Sequence, residues 1–174
     1  MDNGLPWGVT LFGRASTDQY LLSQADGLQR QQGLAAPAPT VVARNDRARL
    51  VVCGAHLDGL ALNWQLKQRG ARLVESTFSS PDYQLYALAG GPPFRPGMVR
   101  VKDGGVAVAV EVWELPSSEL GSFLTGIPAP LGLGKVQLAD GRWESGFICE
   151  AYGLEGAMDI SHLGGWRAYL QSRT

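Results

Sequence analysis

The stretch Leu50-Val51-Val52-Cys53-Gly54-Ala55-His56-Leu57-Asp58-Gly59-Leu60-Ala61-Leu62-Asn63-Trp64-Gln65-Leu66 decides the fold of this chain. Four consecutive apolar residues, Leu50 to Cys53, end at Gly54 and are typical of a strand that is buried on both faces. After Gly59 the apolar residues recur with helical spacing. The stretch therefore predicts a strand, a loop bracketed by glycines and a helix, with His56 at the tip of the loop.

This loop predicts a place where a small anion is bound. Backbone N–H groups in such a turn, and in the first turn of the helix that follows, have no intrahelical partners and point at an anion above them. The candidate binding residues are Gly54, Ala55 and Leu57. Beside them, the imidazole of His56 can give or take a proton near neutral pH, which makes it the candidate catalytic residue. The alternative is a structural histidine that is hydrogen-bonded inside the core.

Two further polar side chains are candidates for substrate binding. Asn63, near the start of the helix, can orient a ligand or simply cap the helix. Arg95 lies in the segment Gly90–Gly97, whose prolines and glycines predict a rigid loop. Its guanidinium can clamp a carboxylate, or it can be an ordinary solvated arginine.

Length and charge narrow the classes of function. The chain has 174 residues, 45% of them hydrophobic, and a formal net charge of −1 with both signs mixed along it. A chain with this charge balance lacks the cluster of basic residues that binds nucleic acids or anionic membranes. No apolar run approaches the roughly 20 residues of a transmembrane helix, and the N-terminus has no signal-peptide pattern. We therefore expect a cytoplasmic protein that binds neither nucleic acid nor membrane.

Motifs for metals, phosphates and serine nucleophiles are missing. The two histidines are far apart, and Cys53 and Cys149 lack zinc spacing, so that free buried thiols are expected. No Gly-x-Ser-x-Gly motif occurs. The run Pro130–Gly134 lacks the Lys-Ser/Thr of a phosphate-binding loop, and a turn is the simpler interpretation. We expect neither a metal nor a cofactor.

The rest of the chain predicts more strands than helices. Strands and hairpins are indicated over 8–13, 72–88, 98–115 and 136–152. Helices are indicated over 16–28, 116–125 and 162–171. This pattern predicts an α+β fold, a small and mostly antiparallel β-barrel or sheet with flanking helices. The expected divisions are an N-terminal strand and helix (1–33), an Ala/Pro linker (34–46) and the main domain (47–174).

A longer set of motifs resembles the C-terminal domain of allophanate hydrolase, which has a γ-glutamylcyclotransferase-like fold. The motifs are Gly54-Ala55-His56-Leu57, Leu62-Asn63, Gln65-Leu66, Arg69-Gly70-Ala71, Pro81-Asp82-Tyr83, Leu85-Tyr86, Gly90-Gly91-Pro92-Pro93, Arg95-Pro96-Gly97, Gly126-Ile127-Pro128-Ala129-Pro130-Leu131-Gly132 and Gly164-Gly165-Trp166-Arg167-Ala168-Tyr169-Leu170. The resemblance implies a compact β-barrel with flanking helices and a small carboxylate or urea-like substrate. It also implies decarboxylation of N-carboxyurea to urea and CO2, after an amidase has deaminated allophanate. His56 falls on the histidine on which that decarboxylation depends.

Two departures from related patterns limit the function. Ile127 stands where the wider cyclotransferase fold carries a catalytic glutamate, which argues against cyclotransferase chemistry. The segment Gly4–Gly13 and the helix after it resemble only the end of an amidase-signature domain, whose serine-rich core is absent. We therefore expect no amidase activity from this chain alone. Two alternatives to a decarboxylase remain. One is a non-catalytic module that binds an amidase partner or forms a homodimer, and the other is a cyclotransferase-like enzyme that acts on a small amine.

Overall fold

A computed structural model describes residues 9–31, 33 and 46–173, and the chain divides into two units, residues 1–44 and 45–174. In the first unit, helix α1 spans Asp18–Gln31 and buries none of its side chains. The strand predicted over 8–13 is wrong for its described part, since residues 9–13 are exposed and form no strand. A single strand without a partner leaves its backbone donors and acceptors unpaired. The predicted linker, 34–46, lies outside the described residues except for Asp46.

The second unit contains all the strands that the described residues form. Their bounds are β1 (Arg47–Val52), β2 (Arg72–Phe78), β3 (Tyr83–Ala87), β4 (Pro96–Arg100), β5 (Ala109–Pro116), β6 (Leu131–Gln137), β7 (Trp143–Cys149) and β8 (Met158–Asp159). Its helices are α2 (Asn63–Gln68), α3 (Ser117–Thr125) and α4 (Trp166–Ser172), with short 3-10 helices at Ala151–Leu154 and Ser161–Leu163.

The strands form two sheets, with orders β2-β5-β1-β7-β6 and β4-β3-β8. Every pairing is antiparallel except the one between β1 and β7. The predicted α+β class and mostly antiparallel arrangement are therefore confirmed. The five described strands of the larger sheet do not close into a barrel, because its edge strands β2 and β6 meet only at one end, where Ser79 bridges Leu138. An open sheet thus replaces the compact barrel that the resemblance implied.

Strand β1 lies in the middle of the larger sheet, and its second half is completely buried. Leu50, Val51 and Val52 expose none of their surface, as the continuous apolar run predicted. Burying a side chain of this size contributes roughly 1.5–3 kcal/mol relative to leaving it exposed. The loop that carries His56 therefore leaves the fully buried end of a central strand.

The two hairpins predicted over 72–88 and 98–115 are wrong, although their strands exist. Strand β2 pairs with β5, whereas β3 pairs with β4. The turn between β2 and β3 does not reverse the chain, because distant groups engage it: Ser79 Oγ accepts a hydrogen bond from Val108 N, and Ser80 N donates to Gln137 O. Between β4 and β5, Val106 N donates to Tyr83 O in the same way. Both connections thus carry the chain from one sheet to the other.

The remaining elements follow the predictions more closely. Helix α3 forms as expected, and β6 and β7 pair as the hairpin predicted around Asp140-Gly141. Strand β6 begins at Leu131, so most of the run Pro130–Gly134 is strand rather than turn. The last helix begins at Trp166 instead of His162, which belongs to the preceding 3-10 helix.

Candidate active site

The loop after β1 is held in one conformation by its carbonyl groups. Leu57 N donates to Gly54 O at 2.9 Å, Leu62 N donates to Ala55 O at 2.8 Å, and Asn63 Nδ2 donates to His56 O at 2.9 Å. Gly59 then takes a φ of +73°, a value that residues with a side chain rarely adopt. The chain turns there toward α2, and the carbonyls of Gly54, Ala55 and His56 accept hydrogen bonds from the protein rather than from a ligand.

Two backbone amides of the same loop are not used in hydrogen bonds among the described residues. Among the hydrogen bonds of the described residues, neither the Ala55 N–H nor the His56 N–H has an acceptor. Both residues are nearly buried, and an unpaired buried amide costs about 1–3 kcal/mol. Adjacent free N–H groups in a turn provide positive partial charge for an anion.

A cavity of about 210 Å³ is lined by the two residues that carry these amides. Its lining consists of Val52, Cys53, Gly54, Ala55, His56, Leu62, Gln65, Pro93, Arg95, Pro96, Gly126, Ile127, Pro128, Leu131 and Phe147. Within the described part of the chain, this lining contains no carboxylate, and Arg95 supplies its permanent charge. The volume is smaller than the roughly 300–1,000 Å³ typical of pockets for drug-sized ligands. The cavity therefore suits a small anion.

The His56 side chain is fixed on three sides and is only 9% exposed. Its ring stacks on Phe147 and meets Phe123 edge-on, with centroid distances of 5.1 and 5.2 Å. Nε2 lies 2.9 Å from Gln65 Oε1, and since an amide oxygen only accepts, this nitrogen carries a hydrogen. The ring is thereby held in a single orientation at the cavity.

The surroundings of His56 favour the neutral imidazole in the free protein. Burial lowers the pKa of His56 below its ordinary value of 6.5, and the nearby charges of Arg69 and Arg95 lower it further. The hydrogen bond to Gln65 acts in the opposite direction. Because burial is the largest of these effects, the pKa of His56 remains lowered, and an anion in the cavity would raise it.

The predicted site residues separate into two groups. Gly54, Ala55, His56 and Arg95 come together at the cavity. Leu57, 3% exposed, belongs to the hydrophobic core instead, and Asn63 is buried behind the loop with its amide on His56 O. A direct contact of Leu57 or Asn63 with a ligand stays a prediction.

Gly54 is at a position where a side chain cannot be placed. A Cβ at this residue would overlap Cδ and Cγ of Pro96, the first residue of β4. The loop therefore lies directly against the neighbouring sheet, which brings Arg95 to the cavity from the other side.

Three neighbours of His56 are not predicted by the sequence pattern as site residues: Gln65, Phe123 and Phe147. Gln65 has a local signal, because it lies in the first turn of the helix that the loop enters and can fold back onto the loop. The phenylalanines have none, since an apolar residue on α3 or on β7 is the ordinary way to fill a core. Arg69 adds to this cluster, with its guanidinium carbon 5.7 Å from the centre of the Phe123 ring.

The cysteines do not add a reactive group to the cavity. Cys53 lines it, but burial raises the pKa of this thiol to about 12, so it does not ionise near neutral pH. Both Cys53 and Cys149 are free. In the described ranges, no group of three or more histidine, cysteine or acidic side chains could hold a metal ion. No helix of these ranges is long and apolar enough to cross a membrane.

Comparison with known proteins identifies the family of this cavity-bearing domain. Residues 48–171 match the family model described as the allophanate hydrolase C-terminal domain. The chain belongs to this family. It is also 38% identical to the urea amidolyase of Saccharomyces cerevisiae and 36% identical to that of Lachancea kluyveri, over 98% and 97% of its own length. It spans about a tenth of the length of either relative, 10% in each case.

Solved structures of similar proteins agree with the fold. Kluyveromyces lactis allophanate hydrolase matches 81% of this chain with a TM-score of 0.72 and 38% identity, and the match covers 24% of that enzyme. A uropathogenic Escherichia coli-specific protein matches 72% of this chain with a TM-score of 0.68 and 35% identity. That match covers 96% of the E. coli protein, which therefore consists almost entirely of this domain.

Proposed function

We propose that this domain decarboxylates a small N-carboxylate, and that N-carboxyurea, which would give urea and CO2, is the first candidate substrate. The observation that carries the proposal is the composition of the cavity. The free amides of Ala55 and His56 and the guanidinium of Arg95 lie around a histidine, without a carboxylate among the described lining residues. Such a lining favours a substrate whose reacting group is itself a carboxylate.

The reaction needs one proton. When the N–COO⁻ bond breaks, CO2 leaves, the bonding electron pair stays on nitrogen, and that nitrogen must be protonated. Of the described side chains at the cavity, His56 is the one that can exchange a proton near neutral pH. In the proposed mechanism the entering anion raises the pKa of His56, the imidazole takes up a proton from water, and this proton moves to the substrate nitrogen.

The anion-binding groups have a separate role. Arg95 and the amides of Ala55 and His56 hold the carboxylate in place, so that the nitrogen lies within reach of the imidazole. Phe147 and Phe123 cover the ring and limit the number of waters around it. General acid catalysis of this kind contributes typically 10²- to 10⁴-fold in rate.

Atom balance corrects one expectation about the substrate. Allophanate and N-carboxyurea are the same compound, the N-carboxylate of urea. Hydrolytic loss of its amide as ammonia therefore leaves N-carboxycarbamate and not N-carboxyurea. N-carboxycarbamate carries a second carboxylate in place of the amide. Both compounds contain the reacting N–COO⁻ group and only a handful of heavy atoms, and the cavity of about 210 Å³ suits either.

An assay of CO2 release with two arms tests the proposal. The full chain is added to allophanate alone, which tests N-carboxyurea, or to allophanate together with a separate deaminating amidase, which tests N-carboxycarbamate. We expect CO2 release above the protein-free rate in at least one arm, with urea as the second product in the first. No acceleration in either arm would overturn the decarboxylase proposal.

A binding or assembly module is the second candidate, and helix α1 favours it. Its side chains Tyr20, Leu22 and Leu28 are exposed, which is unusual for apolar residues on one short helix. In the urea amidolyases and allophanate hydrolase the matching region is part of a longer chain. An amidase partner or a second copy of this chain would therefore be the ligand of such a module.

A further inference from the structure

A buried carboxylate lies directly behind the loop that carries His56. Glu111 is in β5, where it pairs with Val52, the last residue of β1. Its side chain is only 6% exposed. A carboxylate in such a place must be fully hydrogen-bonded, because burial removes the water that otherwise solvates its charge.

Both oxygens of Glu111 have partners. Oε2 accepts hydrogen bonds from Asp58 N at 2.8 Å and from Trp113 Nε1 at 3.0 Å. Oε1 accepts from Arg167 Nη2 at 2.8 Å. The indole of Trp113 can reach the carboxylate of Glu111 because residues two apart on a strand lie on the same face of the sheet. Of these donors, the one on the loop is the backbone amide of Asp58.

Arg167 holds the same peptide from its other side. The Nη2 atom that contacts Glu111 also donates to Asp58 O at 2.7 Å. The N–H and the C=O of Asp58 are therefore both bound by one ion pair, between a strand residue and a residue of α4. Asp58 follows His56 by only two positions, so this pair fixes the far end of the loop just as β1 fixes its near end.

We infer that Glu111 is a positioning residue that keeps the His56 ring and the backbone amides of Ala55 and His56 in place at the cavity that these residues line. It makes no contact with the cavity itself, since it is not among the lining residues. The inference about rate rests on the proposed function, whereas the inference about loop geometry does not. A shift of the loop by about 1 Å is enough to lower a catalysed rate by roughly 10²-fold.

The same strand offers a matched control. Glu114 is also nearly buried, and its carboxylate accepts two hydrogen bonds from Arg72, at 2.7 and 2.9 Å. The two arginines that pair with its carboxylate, Arg72 and Arg47, lie outside the loop. Glu114→Gln therefore weakens an ion pair on β5 without touching Asp58, whereas Glu111→Gln places an amide where the loop needs a charged acceptor.

The experiment combines NMR of the full chain with the CO2 assay. We expect Glu111→Gln to shift the amide signals of Ala55 and His56 and to change the titration midpoint of the His56 imidazole. We also expect kcat to fall about 10- to 100-fold, measured well below the melting temperature. Glu114→Gln should leave the loop signals and kcat unchanged, and Glu111→Asp should restore part of the loss.

The outcomes separate this inference from the proposed function. Unchanged loop signals and titration in Glu111→Gln, with only a lower melting temperature, would overturn the positioning role. A parent protein that is inert toward both N-carboxylates would overturn the decarboxylase proposal, and the NMR shifts would still decide on Glu111. If Glu111→Gln does not fold, Arg167→Gln is used instead, because Arg167 is half-exposed and its replacement removes the hydrogen bond to Asp58 O. Unchanged loop signals in Arg167→Gln would then overturn the inference.

Discussion

The imidazole of His56 lies against the ring of Phe147, with the centroids 5.1 Å apart and an angle of 21° between the planes. This stacking and the hydrogen bond to Gln65 Oε1 orient the histidine without a charged partner. Packing and a neutral hydrogen bond therefore orient the ring, and the negative charge that would stabilise a protonated imidazole has to come from an anion bound in the cavity.

Replacing His56 by asparagine should remove catalysed CO2 release while the fold persists. Asparagine can still hydrogen-bond but cannot carry the proton, so we expect a loss of roughly 10²-fold or more. The measurement is CO2 release alongside the melting temperature. His162→Asn is the matched control, since the other histidine of the chain is exposed on a 3-10 helix. A retained rate with a collapsed melting temperature would show a structural histidine instead.

Changing Gln65 should move the ionisation of His56 in opposite directions. Gln65→Glu places a carboxylate beside Nε2 of His56 and should raise the pKa of the imidazole. Gln65→Leu removes the hydrogen bond that raises this pKa and should therefore lower it. NMR titration of the imidazole measures both. The pH dependence of CO2 release should shift in the same directions. Titration midpoints that stay equal in the two variants would contradict the contact.

The stability of the domain should depend on His56 below pH 6.5. The pKa of His56 is lowered by burial from 6.5 in the folded chain, whereas the unfolded chain keeps the ordinary value. Above this pH both states hold a neutral imidazole. As the pH falls through 6.5 toward the folded pKa, the unfolded chain binds the proton first, so the free energy of unfolding decreases.

Urea unfolding at about pH 7.5 and about pH 5.5 checks this dependence. We expect the wild type to lose more stability over the interval than His56→Asn does, with His162→Asn behaving like the wild type. An identical loss in the wild type and in His56→Asn would assign the pH dependence to other groups.

Neutralising Arg95 should weaken substrate binding more than turnover. Arg95→Gln removes the permanent positive charge of the described cavity lining, and a hydrogen bond to a charged group contributes about 1.5–3 kcal/mol. We therefore expect KM to rise roughly tenfold or more. Arg100→Gln serves as the control, because Arg100 pairs with Asp82 and Gln137 away from the cavity. Equal effects of both variants would indicate a general charge effect.

Removing residues 1–40 should change the behaviour of the chain in solution. Helix α1 buries none of its side chains, and exposed apolar surface of this kind favours association. We expect the deletion to increase solubility or to lower the mass of the species in solution. Light scattering of both forms measures this. An unchanged mass and solubility would argue against a role of α1 in association.

Local patterns predicted the part of the fold that depends on neighbouring residues. The apolar run Leu50–Val52 and the change of period after Gly59 were sufficient for β1, the loop and α2. The pairing of β2 with β5 was not predictable in this way, because Ser79 and Ser80 form hydrogen bonds with residues far along the chain. Strand existence is local, whereas the choice of partner depends on such distant contacts.

The residues of the candidate site likewise fall into those predicted by a local pattern and those brought in by distant contacts. The loop residues Gly54 to His56 follow from a local signal, and Arg95 from a loop rich in proline and glycine. Phe147 and Glu111 carry no such signal, since each lies within a strand and not beside the loop in the sequence. Their relation to His56 arises only from the register of β1 between β5 and β7.

The bond from Arg167 to Asp58 spans 109 residues, and this sets the order in which the site is completed during synthesis. A ribosome adds roughly 5–20 residues per second, so the loop emerges several seconds before the helix that clamps it. Until then, Asp58 O lacks its partner, and of the two bonds to the Asp58 peptide only the one from Asp58 N to Glu111 Oε2 can form. A protease cut between β8 and α4, followed by loss of α4, would recreate this unfinished state in the mature protein, with every strand of both sheets still present.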